Sequence, residues 1–372
     1  MKRRIWVAAL IAAVMFCGCS KSDKKKEKSG MKTAEVTTVT EITEPVVTTP
    51  KPVMVQIGND ELYKGNLILV NRNSKYADGS NDHLVNIYSQ KSENCDVNST
   101  NMELDGEMLE HINQMIDDFY AQSGINDVLL NSGYRTFDEQ DDLYRADLEA
   151  TGRETSELVA PAGYSEHHTG LAMDFAINDG ETYPALKNEG EYSWIYQNAE
   201  KYGMILRYTS SNRAVTGYQP ESWHFRYVGT VHAEIINRIN AAFEGYINFI
   251  RDFSYEFPLE YKCRADGKNY KIYFVPKQDG DMTEIPIPYD SNFSSEAPDY
   301  VISGNNVDGF IVTLCVDELS EDYNETLLDM FACQSMTAEE MDNARNAAES
   351  LAAAVQTDDE DEEENDDESD DE

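Results

Sequence analysis

Two stretches of this chain alternate between bulky apolar and small or polar side chains. After Gly170, the residues Leu171, Met173, Phe175 and Ile177 are large and apolar, whereas Ala172, Asp174 and Ala176 are small or acidic. Farther on, Trp223, Phe225 and Tyr227 alternate with His224, Arg226 and Val228. Period two sends successive side chains to opposite faces of a strand, so both stretches are predicted to be strands with the large side chains in the core. If the strands are neighbours, Asp174 and His224 share a face, and His167 reaches it from the turn just before. Pro220 disfavours a regular strand at Glu221, which is expected in the entering turn.

Other segments follow helical spacing. Met108, Leu109, Ile112, Met115, Ile116 and Phe119 define an amphipathic helix ending at Gly124. Thr136 and Glu139 form a capping box for a helix that stops at Gly152. Helices are also expected over 192–202 and 230–246, and strands over Leu67–Val70, Val128–Leu130 and 205–208. Mixed order without βαβ repetition argues α+β: a small mixed or antiparallel sheet with flanking helices. From about residue 248 a hairpin (Leu259–Cys263, a turn at Ala265-Asp-Gly267, then Tyr270–Val275) and a strand at Phe310–Val316 read as a small β appendix. It carries no cluster of catalytic residue types.

The chemistry concentrates on the two alternating stretches. His167, Asp174 and His224 are hard and borderline donors that suit one zinc ion with a fourth position open. Glu221 could then accept a proton from water and pass it on. His83, His111 and His232 are read as hydrogen-bonded structural histidines.

The motif Ser165-Glu-His-His-Thr-Gly-Leu-Ala-Met-Asp174, followed by Glu221-Ser-Trp-His224, resembles the zinc D-alanyl-D-alanine carboxypeptidases, particularly their VanY-like branch with its L,D-carboxypeptidase relatives. The likeness extends to Ser132-Gly-Tyr-Arg135, Gln140, Tyr202–Tyr208 and Trp223–Gly229, about residues 60 to 247. It implies a D-Ala-D-Ala zinc peptidase (hedgehog-like) fold, with His167, Asp174 and His224 as zinc ligands and Glu221 as catalytic base. It also implies that Arg135 stabilises the oxyanion and that Ser165 and Gln140 hold substrate. His168 stands where such proteins often carry Gln, and Ser222 where they often carry Pro. The implied activity is removal of the terminal D-alanine from peptidoglycan stem peptides by a monomer. Alternatives are L,D cleavage of tetrapeptide stems and a silent wall-binding lipoprotein. A related endopeptidase is disfavoured by Glu221, where that branch often has Asp. Tyr164, Tyr208, Tyr218 and Trp223 are the aromatic candidates for reading substrate handedness.

Charge and termini complete the picture. A formal net charge of −40 excludes a general nucleic-acid binder, because phosphate contacts need basic surface. Residues 1–18, with Lys2, Arg3 and Arg4 before an apolar run, read as a lipoprotein signal, and Cys19 as the lipidated N-terminus. The run is too short to span a bilayer. Residues 19–53 read as a basic and then Thr/Pro-rich linker that could extend roughly 100 Å. The expected body is therefore a peptidase domain at 54–247, the β appendix at 248–318, and a segment 319–372 with an Ala-rich helix opened by Thr337 and Glu340. Its acidic end repels itself and is expected to be disordered. These features predict an extracytoplasmic location on the cell membrane through a lipid anchor. Cys95, Cys263, Cys315 and Cys333 permit three disulfide arrangements after export, with Cys263–Cys315 the favoured pair.

Overall fold

The computed structural model describes residues 52–77, 80–288 and 299–320, together with Tyr323 and Leu328. The expected signal, Cys19, most of the linker, Cys333 and the C-terminal helix and acidic run lie outside the described residues.

In chain order, β1 (Val53–Gly58) leads through β2 (Leu84–Asn86), β3 (Asp96–Val97) and β4 (Glu103–Asp105) into α1 (Gly106–Ser123). Next come β5 (Val128–Ser132), α2 (Phe137–Thr151), a 3-10 turn at Glu166–Thr169, β6 (Ala172–Ile177) and α3 (Ser193–Asn198). Then follow β7 (Met204–Tyr208), the single-turn α4 (Arg213–Thr216), β8 (Glu221–Tyr227), α5 (Thr230–Arg238) and α6 (Phe243–Ile250). The remainder is β9 (Leu259–Lys262), β10 (Asn269–Pro276), β11 (Met282–Ile287), β12 (Tyr300–Gly304) and β13 (Gly309–Val316).

The sheet that carries the predicted site has the order β3-β5-β6-β8-β7. Only the β3–β5 pair is parallel. β6 and β8 are neighbours, with Asp174 directly opposite His224. The α+β expectation holds. On one face α1 contributes Met108, Ile112, Met115 and Phe119 to a core shared with Val128, Leu130, Met173, Phe175 and Phe225. Both termini of α1 are closed locally: Asp105 accepts the Met108 amide, and Gly124 caps at φ 73° in the left-handed region that glycine adopts without strain. The Thr136/Glu139 capping box opens α2 as predicted, and Gly152 ends it.

Several expectations give way to tertiary context. Residues 67–70 are buried but form no strand. Their backbone groups are taken instead by Ser303 Oγ, the Asn305 carbonyl, Asn306 Nδ2 and Arg226 Nη2, so side chains replace a ladder. The expected helix over 192–202 divides into α3 and a 3-10 turn over 199–202. The expected helix over 230–246 breaks at Asn240, whose φ of 49° ends α5 before α6 begins at Phe243. β8 starts at Glu221 itself, because Pro220 stands just outside the strand and costs it no ladder bond.

The C-terminal region forms the sheet β12-β13-β10-β9, and β11 pairs along its length with β1. Cys263 and Cys315 are both free thiols, so the favoured disulfide is not formed. Cys315 pairs with Tyr270 on one side of β10, while Cys263 follows β9 on the other side. Two strand spacings are about 10 Å, beyond the Cα separation that a disulfide tolerates.

Candidate active site

Three consecutive residues, Glu166, His167 and His168, organise the site. They form a buried 3-10 turn because Ser165 Oγ accepts the His167 amide at its start and Gly170, at φ 68°, closes it. The left-handed φ of Gly170 would strain any side chain, and a Cβ there would stand 3.2 Å from the Asp105 amide nitrogen. The turn then runs straight into β6.

His167 Nδ1 donates to the Gly133 carbonyl at 2.6 Å. In the neutral ring the lone pair therefore sits on Nε2, which is buried without a hydrogen-bond partner and lies 3.3 Å from Asp174 Oδ2. Two acceptors facing each other at that distance call for a positive charge between them. Burial holds the His167 imidazole down to about 4, with Arg135 nearby acting in the same direction, so the ring itself does not supply that charge.

His224 completes the arrangement. Its Nδ1 lies 2.9 Å from Asp174 Oδ1, and its Nε2 lies 3.3 Å from Glu166 Oε2. Burial alone would lower this imidazole, but hydrogen bonds to Asp174 and Glu166 raise it to about 9. The Asp174 carboxyl is held well below the usual range: burial opposes ionisation, but His167 and His224 outweigh it. A proton on His224 satisfies Asp174 in the bare site, and a metal ion could take that proton's place. His167, Asp174 and His224 each offer one ligand atom, all within 4.8 Å of one another, which fits a mononuclear three-ligand centre.

Glu221 stands beside this trio with a carboxylate oxygen 3.8 Å from His224 Nδ1. Burial raises its carboxyl to about 7, with Asp174 and Glu166 adding to the rise and His224 and Arg135 opposing it. Arg135 reaches in from the end of β5, its Nη2 lying 3.6 Å from Asp174 Oδ2 and its Nε buried without a partner. Its Nη1 donates to Gln140 Oε1, and Gln140 Nε2 donates to the Ala160 carbonyl. Both ends of the Gln140 amide are therefore used within the protein. Ser165, His167, Asp174, Glu221, His224, Arg135 and Gln140 all line one open cleft of about 280 Å³. Tyr208, Tyr218 and Trp223 line it too, whereas Tyr164 does not. Outside the cleft, His83 and His232 are hydrogen-bonded as expected. His111 departs from its expected role: it packs on the Tyr227 ring with a buried, unpartnered Nδ1.

Glu166, which no sequence pattern singles out, stands directly behind His224 in the cleft. Fully buried, it accepts from Arg207 Nε at 2.8 Å and from Arg226 Nη1 at 3.2 Å while holding His224 Nε2. Burial favours its neutral form, but the two guanidinium groups reverse this and keep it ionised. Arg207 also binds both oxygens of Glu244 on α6. The available signal was Arg207 inside the otherwise apolar strand β7, since a buried arginine requires a counter-ion.

The comparisons agree with this geometry. A family model described as D-alanyl-D-alanine carboxypeptidase (VanY) matches residues 101–230. A D-alanyl-D-alanine carboxypeptidase of Enterococcus faecium is 32% identical over 263 residues, covering 69% of this chain and 78% of that protein. A bifunctional D-Ala-D-Ala dipeptidase and carboxypeptidase of Enterococcus gallinarum, VanXYC, is 35% identical over 129 residues, covering 33% of this chain and 68% of that protein. Among solved structures, the vancomycin-resistance D,D-dipeptidase VanXYg, in complex with a D-Ala-D-Ala phosphinate analogue, superposes with a TM-score of 0.62 at 30% identity. That likeness covers 71% of this chain and 99% of the other. With His167, Asp174, His224, Glu221 and Arg135 in one cleft, the chain belongs to the VanY family of D-alanyl-D-alanine carboxypeptidases.

Proposed function

We propose that this protein is a zinc-dependent carboxypeptidase that removes the terminal D-alanine from peptidoglycan stem peptides ending in D-Ala-D-Ala. The observation that carries the reading is the pair of imidazole nitrogens, His167 Nε2 and His224 Nδ1, that flank the Asp174 carboxylate, the first of them buried without a hydrogen-bond partner. Two nitrogens and one carboxylate suit zinc, one ion per chain, with a position left open. When bound, zinc supplies Lewis acidity that polarises the scissile carbonyl and makes water nucleophilic near neutral pH.

The chain's own residues do the rest. Glu221 accepts the water proton and returns it to the amine of the departing D-alanine, two roles that a carboxyl raised to about 7 can fill in turn. Arg135 stabilises the negative charge that develops on the carbonyl oxygen, and it is already fixed in place before substrate arrives. Ser165 can donate to the substrate's terminal carboxylate from the cleft wall. Tyr208, Tyr218 and Trp223 supply the apolar walls against which side-chain handedness is read. Glu166 keeps the His224 ring oriented with Nδ1 toward Asp174. We further propose that the domain acts as a monomer outside the cytoplasm, tethered through a lipid on Cys19.

The test is a parallel assay of pentapeptide and tetrapeptide stems and free D-Ala-D-Ala, each peptide with a free or amidated C-terminus, read by product mass. Release of D-alanine from the free pentapeptide, lost on chelation and restored by zinc, is expected. Equal cleavage of amidated peptides would overturn the carboxypeptidase reading. Full activity after exhaustive chelation would overturn the metal reading.

A further inference from the structure

His168 sits next to a proposed ligand, yet its ring makes contacts of another kind. Its Nδ1 pairs with the Arg135 carbonyl at 2.8 Å, and its Nε2 receives the Gly163 amide at 2.9 Å. A carbonyl only accepts and an amide N–H only donates, so the two partners fix the proton on Nδ1. The ring is buried and lies flat on Phe137, centroids 4.3 Å apart at 7°, with Tyr76 stacked at 6.4 Å. Gly163, at φ 89°, is held from its other side by the Tyr76 amide.

Gln140 spans the same two elements, joining the Arg135 guanidinium to the Ala160 carbonyl. The Arg135 amide also donates to the His167 carbonyl at 3.2 Å. Arg135 is thus gripped at its amide, its carbonyl and its guanidinium, and two of the three grips reach the segment 160–163, which continues from the cleft-lining Leu158, Val159 and Ala160.

We propose that His168 is a positioning residue for oxyanion stabilisation, setting where Arg135 stands relative to the 160–163 segment. It acts through Arg135 and touches no substrate; the inference rests on reading Arg135 as the oxyanion donor. A preorganised donor loses its value when displaced, and a misplacement of about 1 Å can cost up to ~100-fold in rate.

His168→Phe keeps the stacked ring and removes both hydrogen bonds. His168→Gln keeps a donor and an acceptor in similar places. Each variant is prepared as the zinc-loaded full chain, with metal content and folded fraction measured. For His168→Phe we expect kcat to fall at least ~10-fold with KM altered less than about 3-fold, and His168→Gln to restore most of kcat. A phosphinate analogue of D-Ala-D-Ala, which mimics the tetrahedral state, should lose affinity in step with kcat/KM, while D-alanine binding holds. Normal kcat in folded His168→Phe, or equal losses for analogue and product, would overturn the proposal. If His168→Phe fails to fold, His168→Gln decides alone: a folded variant with unrestored kcat overturns it. Arg135→Ala is run in parallel. If it leaves analogue affinity intact, the reading of Arg135 fails; if Arg135→Ala loses affinity and His168→Phe does not, only the role of His168 fails.

Discussion

The Nε2 of His224 lies 3.3 Å from Oε2 of Glu166, a carboxylate with no solvent exposure of its own. This contact joins the proposed metal trio to the buried Arg207 and Arg226. Glu166→Gln should therefore weaken zinc binding by about 10–100-fold, the usual loss when a carboxylate behind a ligating histidine is removed. Stability should fall as well, by about 3–5 kcal/mol, because two buried guanidinium groups lose a counter-ion. Competition with a chelating dye measures the first effect and thermal unfolding the second. Unchanged zinc affinity in a folded variant would reduce Glu166 to a purely structural role.

Glu221→Gln should retain zinc and lose turnover by at least about 100-fold, because the amide keeps the shape and lacks the base. Metal analysis alongside stem-peptide hydrolysis checks both halves. Loss of zinc in Glu221→Gln but not in Asp174→Asn would interchange the assignments of base and ligand.

The pH profile follows from the same carboxyl. Burial raises Glu221 to about 7, and only its ionised form accepts a proton, so kcat/KM falls as pH drops through its pKa. A bound cation favours the carboxylate and moves the limb downward. The acid limb is expected between the ordinary glutamate value of about 4.3 and about 7. An acid limb unchanged in the residual activity of Glu221→Gln would assign it to another group.

Cys263 and Cys315 lie across β10 from one another, two strands apart. A reductant should leave the melting temperature of the described domain unchanged, and alkylation after unfolding without reductant should label both thiols. A mass spectrum showing them linked would mean that the β9–β10–β13 order is wrong.

No apolar residue follows Val355, so the acidic run has nothing to bury. Deleting residues 358–372 should leave melting temperature and hydrolysis almost unaltered. A large fall in either would show that this run docks on the body.

The local parts of this protein were legible in its sequence. Side-chain alternation at 171–177 and 223–228 depends only on strand geometry, and it placed Asp174 and His224 on one face. Capping at Thr136 and Gly152 depends on residues within one turn, so α2 appeared as expected. The family motif gathered His167, Asp174, His224, Glu221, Arg135, Ser165 and Gln140, and the fold brings all seven into one cleft. What the sequence could not show were partnerships set by packing between distant segments. Glu166 looks like any surface acid until Arg207 and Arg226 arrive from two strands to neutralise it. Residues 67–70 have strand composition, yet side chains from Arg226, Ser303 and Asn306 take their backbone groups. Asn240 breaks a helix that periodicity alone would continue. Composition and period constrain each residue against its chain neighbours. Which buried charge meets which, and which backbone group is already satisfied, is decided only when the whole core closes.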